Sequence, residues 1–432
     1  MPITSRRNFV AGLAGATTTL PMYSERAFAH LFRADAVAGD RTPADLANDE
    51  SYWSHVQRAF DTDRTQINLN NGGISPTPTH VLEQMIRDLR FVNELPVEHN
   101  WRILEPKMES TRRELAKEFG CESEEMAITR NASEGLEIMI LGLDLQRGDE
   151  VIITNQNYGR MITTWQQRER REGIVLKQVA FPVPLTDPSV LVKRIEAAIT
   201  PRTKVIELTH ITNLTGQILP IRDVVRLARP RGIEVFVDGA HAFAHFPFTR
   251  DELECDYYAT SLHKWMHTPI GAGFLYVRRE RIAKLWPLMG SDVSRVANIR
   301  KYEEIGTHPQ ANFNAVSVAI TFHRGIGADR KIARLRYLRD RWAKALLAES
   351  PRVKVLTELG PDKAGAICLF SVDGLDSGKL GNWLLANYRI VNTPIVHPEF
   401  SGIRITPSVY TTVDEIDTFV DAVKKAIKVG IA

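Results

Sequence analysis

Two ionisable residues stand at or just beyond the ends of predicted strands: Asp238 closes Val235-Phe236-Val237-Asp238, and Lys264 follows the strand Asp256–Ser261 by three residues, in Thr260-Ser261-Leu262-His263-Lys264. A charge at the end of a buried strand is costly unless it is paired or used. A carboxylate and an amine meeting at one sheet edge have a well-known joint use. In pyridoxal phosphate (PLP) chemistry a lysine forms a Schiff base with the cofactor aldehyde, while an aspartate pairs with the pyridinium nitrogen and keeps the ring an electron sink. That chemistry also needs a phosphate cradle, an aromatic cover for the ring and an anchor for a substrate carboxylate. Arg130-Asn131-Ala132-Ser133-Glu134-Gly135 precedes an apolar helical run, so the Ala132 and Ser133 amides and the Ser133 hydroxyl can hold a phosphate at a helix N-terminus. Tyr158 can stack on the ring, and Arg404, in Gly402-Ile403-Arg404-Ile405-Thr406-Pro407, offers a guanidinium fork for a carboxylate.

The elements that must bring these residues together are legible as alternating short β-branched runs and longer amphipathic stretches from about Thr65 onward, the signature of βα units around a mostly parallel sheet. Strands are predicted at Val151–Thr154, Val175–Ala180, Lys204–Thr209, Ile233–Asp238, Asp256–Ser261 and Gly273–Val277, with helices between them at Ser133–Leu143, Arg160–Arg171, Pro188–Ile199 and Ile221–Ala228. Ligands of open parallel sheets bind outside the carboxyl ends of the strands. The residues there are unusually polar: Asn155 to Arg160, His210 to Gly216, Asp238 to His241, and Ser261 to Trp265. After Gly306 the texture changes to one long helical stretch, Phe313 to Ala348, then shorter strands and helices near Ser377–Asn387 and Val413–Val429. The expected organisation is a leader over 1–29, an N-terminal arm over 30–64, a large cofactor domain over 65–310 and a smaller α+β domain over 311–432.

In combination, Val235-Phe236-Val237-Asp238-Gly239-Ala240-His241, Thr260-Ser261-Leu262-His263-Lys264-Trp265 and Arg404-Ile405-Thr406-Pro407 resemble the class V aminotransferase family of fold type I, from about Asn68 to the C-terminus. Within it the chain is most similar to the isopenicillin N epimerase-like branch, with cysteine desulfurases as cousins. The resemblance implies an α/β fold with a mostly parallel, seven-stranded-type sheet. It implies Lys264 as the Schiff-base lysine, Asp238 at the pyridine nitrogen, His241 near the ring hydroxyl and Asn213 beside the ring. Ser133, Ser261 and His263 then fall at the phosphate, Arg404 at the substrate carboxylate, and Asn71, in the turn Asn70-Asn71-Gly72-Gly73, near the substrate entrance. Glu304-Ile305-Gly306-Thr307 resembles the segment that crosses a dimer interface, which makes the expected assembly a homodimer with Thr307 reaching the partner's site.

Plainer roles exist for several of these residues. Asp238 alone reads equally as a helix N-cap, Tyr158 as a half-buried strand-end aromatic, and Asn213 as a turn former before Gly216. His241/His245 and His263/His267 have the i, i+4 spacing of a helical zinc pair. Neither has a nearby HExxH or third ligand, so no metal is expected, and His245 and His267 are read as structural. Gly374 to Leu380 lacks the spacing of a phosphate loop and is read as a surface turn.

The reaction is less determined than the cofactor. Lys264 is the obvious base at Cα, and racemisation also requires protonation from the opposite face; Tyr158 is a candidate for that acid. A cysteine desulfurase needs a nucleophilic cysteine shortly before the carboxylate-binding arginine, yet Arg389 to Ile403 contains none. Cys368 reads as a residue of a buried strand. Epimerase-like chemistry is therefore the leading reading, with C–S lyase, aminotransferase, oxidative tailoring and a non-catalytic PLP-binding scaffold as alternatives.

Composition bounds the partners. Across 432 residues, 55 Lys+Arg against 52 Asp+Glu leave a net charge of +3, too slight for a polyanion-binding surface, so a small amino-acid-like substrate is expected and nucleic acid is not. Three scattered cysteines offer no disulfide framework. Ser5-Arg6-Arg7-Asn8-Phe9, a mild apolar run and Ala27-Phe28-Ala29 match a twin-arginine export signal. The expectation is recognition by the export machinery and a periplasmic or secreted enzyme without a stable membrane anchor.

Overall fold

A computed structural model describes residues 23–431. The twin-arginine motif and its apolar run lie outside the described residues. Ala27–Ala29 falls within a helix, Tyr23–Ala38.

Seven strands form the central sheet: β1 (Met126–Thr129), β2 (Glu150–Thr154), β3 (Val175–Val179), β4 (Thr203–Thr209), β5 (Glu234–Asp238), β6 (Tyr257–Ser261) and β7 (Gly273–Val277), in the spatial order β1-β7-β6-β5-β4-β2-β3. Neighbours are parallel except that β7 runs against both β6 and β1. Runs such as Val-Ile-Ile and Val-Phe-Val are near-continuously apolar because both faces are covered. Alternate residues feed two cores: Ile152, Val237 and Tyr258 on one face, Val151, Phe236 and Tyr257 on the other. The six expected strands are present within a few residues. β1 is the addition, four buried residues at an edge, fastened by the β7 ladder and by Ile128 N donating to Glu303 Oε1 at 2.6 Å.

The expected long helix is two. Gly327, at φ 87°, separates Gln310–Ile326 from Ala328–Glu349, a backbone conformation that glycine adopts without a Cβ penalty. Phe313, Val316 and Ile320 of the first helix belong to the large-domain core, as do Tyr52, Trp53 and Val56 of the N-terminal arm. Within the second helix the core changes: Leu335 lies in the large one, Leu338, Trp342 and Leu346 in the small one. The small domain is a four-stranded antiparallel sheet of β8 (Val353–Val355), β9 (Cys368–Val372), β10 (Thr393–Val396) and β11 (Ser401–Ile405), ordered β10-β11-β9-β8, and the helices Ser377–Tyr388 and Val413–Val429 pack beside it. The chain entering the large domain is tied to it first: Ile67–Asn68 pairs in parallel with Ile390–Val391. Among the described residues no helix is long and apolar enough to cross a membrane.

Candidate active site

The carboxyl ends of β2, β4, β5 and β6, the start of the helix Ala132–Gly142 and strands β10 and β11 of the small domain enclose a cavity of about 540 Å³. Ala132, Ser133, Tyr158, Asn213, Asp238, His241, Ser261, His263, Lys264 and Arg404 all line it.

At one end lies the helix N-terminus. Asn131 caps it by accepting from Glu134 N at 2.9 Å, and Ala132 N donates to Ser261 Oγ at 2.9 Å. Gly273 of β7 allows this approach: a Cβ there would lie 2.5 Å from the Thr260 carbonyl oxygen and 2.8 Å from Asn131 Cα. Ser133 and His263 stand beside these amides. Burial, with Lys264 adding repulsion, lowers His263 to about 4, so its ring is neutral near pH 7.

At the centre, Asp238 is buried and accepts one hydrogen bond, from Ala240 N at 2.9 Å. Burial raises its pKa, opposed by that bond and by Lys264. Lys264 Nζ lies 3.2 Å from His241 Nε2. Burial lowers the lysine to about 8, Asp238 pulls it upward and Arg404 adds to the lowering, so a useful fraction is free amine near neutral pH.

At the far end Arg404 reaches in from β11. One Nη donates to Asn213 O at 2.7 Å and the other to Asn70 Oδ1 at 2.9 Å. Burial brings it down to about 10, so it remains a cation.

Five buried polar atoms around the cavity have no hydrogen-bond partner among the described residues: Thr209 Oγ1, Asn213 Oδ1, His241 Nδ1, His263 Nδ1 and Arg404 Nε. These atoms leave hydrogen-bonding capacity around the cavity that a polar ligand can take up. A helix N-terminus with Ser133, Ser261 and His263 at one end, Asp238 with Lys264 in the middle, and an arginine at the other fit phosphate, pyridine nitrogen with aldehyde carbon, and substrate carboxylate in that order.

Two expected residues stand elsewhere. Asn71 is corrected by its neighbour: its Nδ2 donates to the Asn68 and Thr406 carbonyls and its Oδ1 accepts from Tyr410 Oη at 2.6 Å, so its side chain is spent on the turn. Asn70 meets Arg404, and Gly72 and Gly73 line the cavity. Thr307 is exposed and lines separate hollows beside Trp101 and His308. Arg160, Thr393 and Ile395 are lining residues that the sequence did not single out. Arg160 follows Tyr158 closely enough to have been suspected, but Thr393 and Ile395 arrive on a hairpin from the small domain. The turn of that hairpin docks on the large domain: Asn155 Nδ2 donates to Glu399 Oε2 at 2.8 Å, and His397 Nε2 lies 3.1 Å from Asn155 O.

The second histidine of the i, i+4 pair has a different task. The His245 ring stacks on Trp265 at 3.5 Å between centroids; its Nδ1 lies 2.8 Å from His241 O, and its Nε2 accepts from Ala366 N at 2.8 Å. It thus bolts the backbone of the site to the small domain. Among the described residues no group of three or more His, Cys, Asp or Glu is placed to hold a metal ion.

The fold and this arrangement define a PLP-dependent enzyme of fold type I. The chain belongs to the aminotransferase class-V family, whose model matches residues 67–418. It is 28% identical over 387 residues to isopenicillin N epimerase of Streptomyces clavuligerus, covering 86% of this chain and 97% of that protein. It is also 28% identical over 422 residues to a probable cysteine desulfurase of Halobacterium salinarum, covering 90% and 98%. Among solved structures, a C-DES mutant with glycine covalently linked to the PLP cofactor superposes with a TM-score of 0.76 at 24% identity, over 85% of this chain and 98% of that one.

Proposed function

We propose that this PLP enzyme is an epimerase or racemase acting at Cα of an amino acid or an amino-acid-bearing metabolite. The observation that carries the reading is the pairing of Lys264 with Tyr158 in one cavity: an amine held near neutrality, and a phenol whose hydroxyl bonds no other described residue. Bound PLP supplies an electron sink that weakens the bonds at Cα. Arg404, with its unpartnered Nε, fixes the substrate carboxylate and so the orientation of the Cα–H bond. Lys264 takes the proton on its side, and Tyr158 returns one from the other. The cysteines weigh against sulfur transfer through a protein persulfide. Cys368 lies sealed in β9 with burial pushing its thiol up to about 12, Cys255 is buried likewise, and the segment before Arg404 has none.

The working unit in this proposal is a homodimer. Leu89, Val97 and Trp101 are large apolar side chains at least half exposed beside Thr307, as expected of a face that a second copy covers. Thr307 would then reach the partner's phosphate site. Delivery to the periplasm by the twin-arginine route completes the proposal and rests on Arg6-Arg7 and Ala27-Phe28-Ala29.

Holoenzyme incubated in heavy water with a panel of D- and L-amino acids tests the reaction. Deuterium at Cα with both enantiomers formed and no keto acid is the expected result. Pyruvate with ammonia would assign C–S or other β-elimination, pyridoxamine with keto acid would assign transamination, and either would refute epimerisation.

A further inference from the structure

Glu207 is the one acidic residue of the otherwise apolar end of β4, and its side chain is fully buried. No cation faces it. From the neighbouring β5, Asp238 is the charged group on the same face, since Glu207 pairs with Phe236 and Thr209 with Asp238 and side chains alternate along a strand. From the overlying helix Gly159–Glu172, Arg168 is engaged by the Ile140 and Leu143 carbonyls and by Glu172.

What does hold the carboxylate is a pair of neutral donors. Trp165 Nε1 donates to Oε2 at 2.5 Å and Asn157 Nδ2 to Oε1 at 3.1 Å. Asn157 is itself a clasp: its Oδ1 accepts from Thr154 N at 3.0 Å and Thr154 Oγ1 at 2.7 Å, which folds the loop after β2 back on the strand end. The next residue is Tyr158, the N-cap of the helix that carries Trp165. One carboxylate therefore fastens the chain immediately before Tyr158 and two turns after it. Burial, with Asp238 adding repulsion, raises the acid to about 7; so costly a group in a strand core is expected only where it has a task.

We infer that Glu207 is a positioning residue of the cofactor pocket, acting through Asn157 to hold the Asn155–Arg160 loop so that Tyr158 covers the PLP ring. The inference is independent of which bond at Cα is broken.

Three variants of the full-length holoenzyme separate this role from plain core stability. Glu207→Gln sets an amide N–H against one of the two donors, Asn157→Ala removes the clasp, and Trp165→Phe removes the other hydrogen bond to the same carboxylate while leaving the clasp in place. The readouts are the PLP dissociation constant by dialysis, the visible circular dichroism of the bound cofactor, and the urea midpoint. Glu207→Gln and Asn157→Ala are expected to weaken PLP binding about tenfold, the size of one hydrogen bond to a charged group, and to alter the dichroism. Trp165→Phe is expected to lower the urea midpoint and leave the dissociation constant within about twofold. The inference is overturned if Trp165→Phe weakens PLP as much as Asn157→Ala, or if Glu207→Gln lowers the midpoint with cofactor affinity and dichroism unchanged. Should Glu207→Gln give no folded protein, the contrast between the other two decides.

Discussion

Replacing His245 by Phe gives a test whose size follows from the geometry. The substitution keeps an aromatic ring on Trp265 but withdraws both hydrogen bonds of the imidazole, leaving the His241 carbonyl and the Ala366 N–H without their partner in a buried seam. Each orphaned group costs about 1–3 kcal/mol, which sums to about 4 kcal/mol at pH 8. Burial lowers His245 from 6.5 to about 3. Between those values the unfolded chain binds more protons than the folded one, so wild-type stability is complete above about pH 6.5 and is lost as pH falls toward 3. At pH 5 that loss from this one ring is about 2 kcal/mol, and the Phe variant does not share it. The gap between the two proteins should therefore narrow from about 4 kcal/mol at pH 8 to about 2 at pH 5. Urea unfolding at both pH values, followed by tryptophan fluorescence, measures it. A gap below about 1 kcal/mol at pH 8, or one that does not change with pH, would refute the neutral double-bonded imidazole.

Two further outcomes are expected. Arg404→Lys keeps the charge but loses the unpartnered Nε and one of the two Nη anchors, so the amino-acid concentration that half-saturates Cα deuterium exchange should rise about 10- to 100-fold with the cofactor absorbance unchanged. Glu303→Gln leaves the fully buried Arg112 without its main counter-charge and loosens Ile128 of β1; urea unfolding should show a loss of about 3 kcal/mol.

The residues that line the cavity were the most legible part of the sequence. Asp238 closes an apolar run, where a charge is conspicuous, Lys264 follows a strand end by three residues, and both strands could be placed from pattern alone. Contacts made between distant segments were not legible. Choosing between Asn70 and Asn71 requires the shape of a turn, and the turn is set by Thr406, more than 330 residues away. Thr393 and Ile395 enter the cavity because β10 pairs with β11, a register that no local spacing announces. β1 escaped notice because Met-Ala-Ile-Thr is too short to show a period. The helix break at Gly327 had a local signal in Gly325-Ile326-Gly327, outweighed in the reading by an apolar pattern that continues across it.

The reversed direction of β7 has a mechanical consequence. Because β6 and β7 are antiparallel, the segment between them leaves and returns through one ladder, closed by Leu262 N donating to Ala272 O at 2.9 Å. Within it the carbonyls on either side of Lys264 are both pinned, that of His263 by Ser75 N at 3.1 Å and that of Trp265 by Lys331 Nζ. The lysine is thus a short tether on a fixed post. Its amine moves only by rotation about its own side-chain bonds, and a residue inserted anywhere between Leu262 and Ala272 would displace the post rather than lengthen the reach.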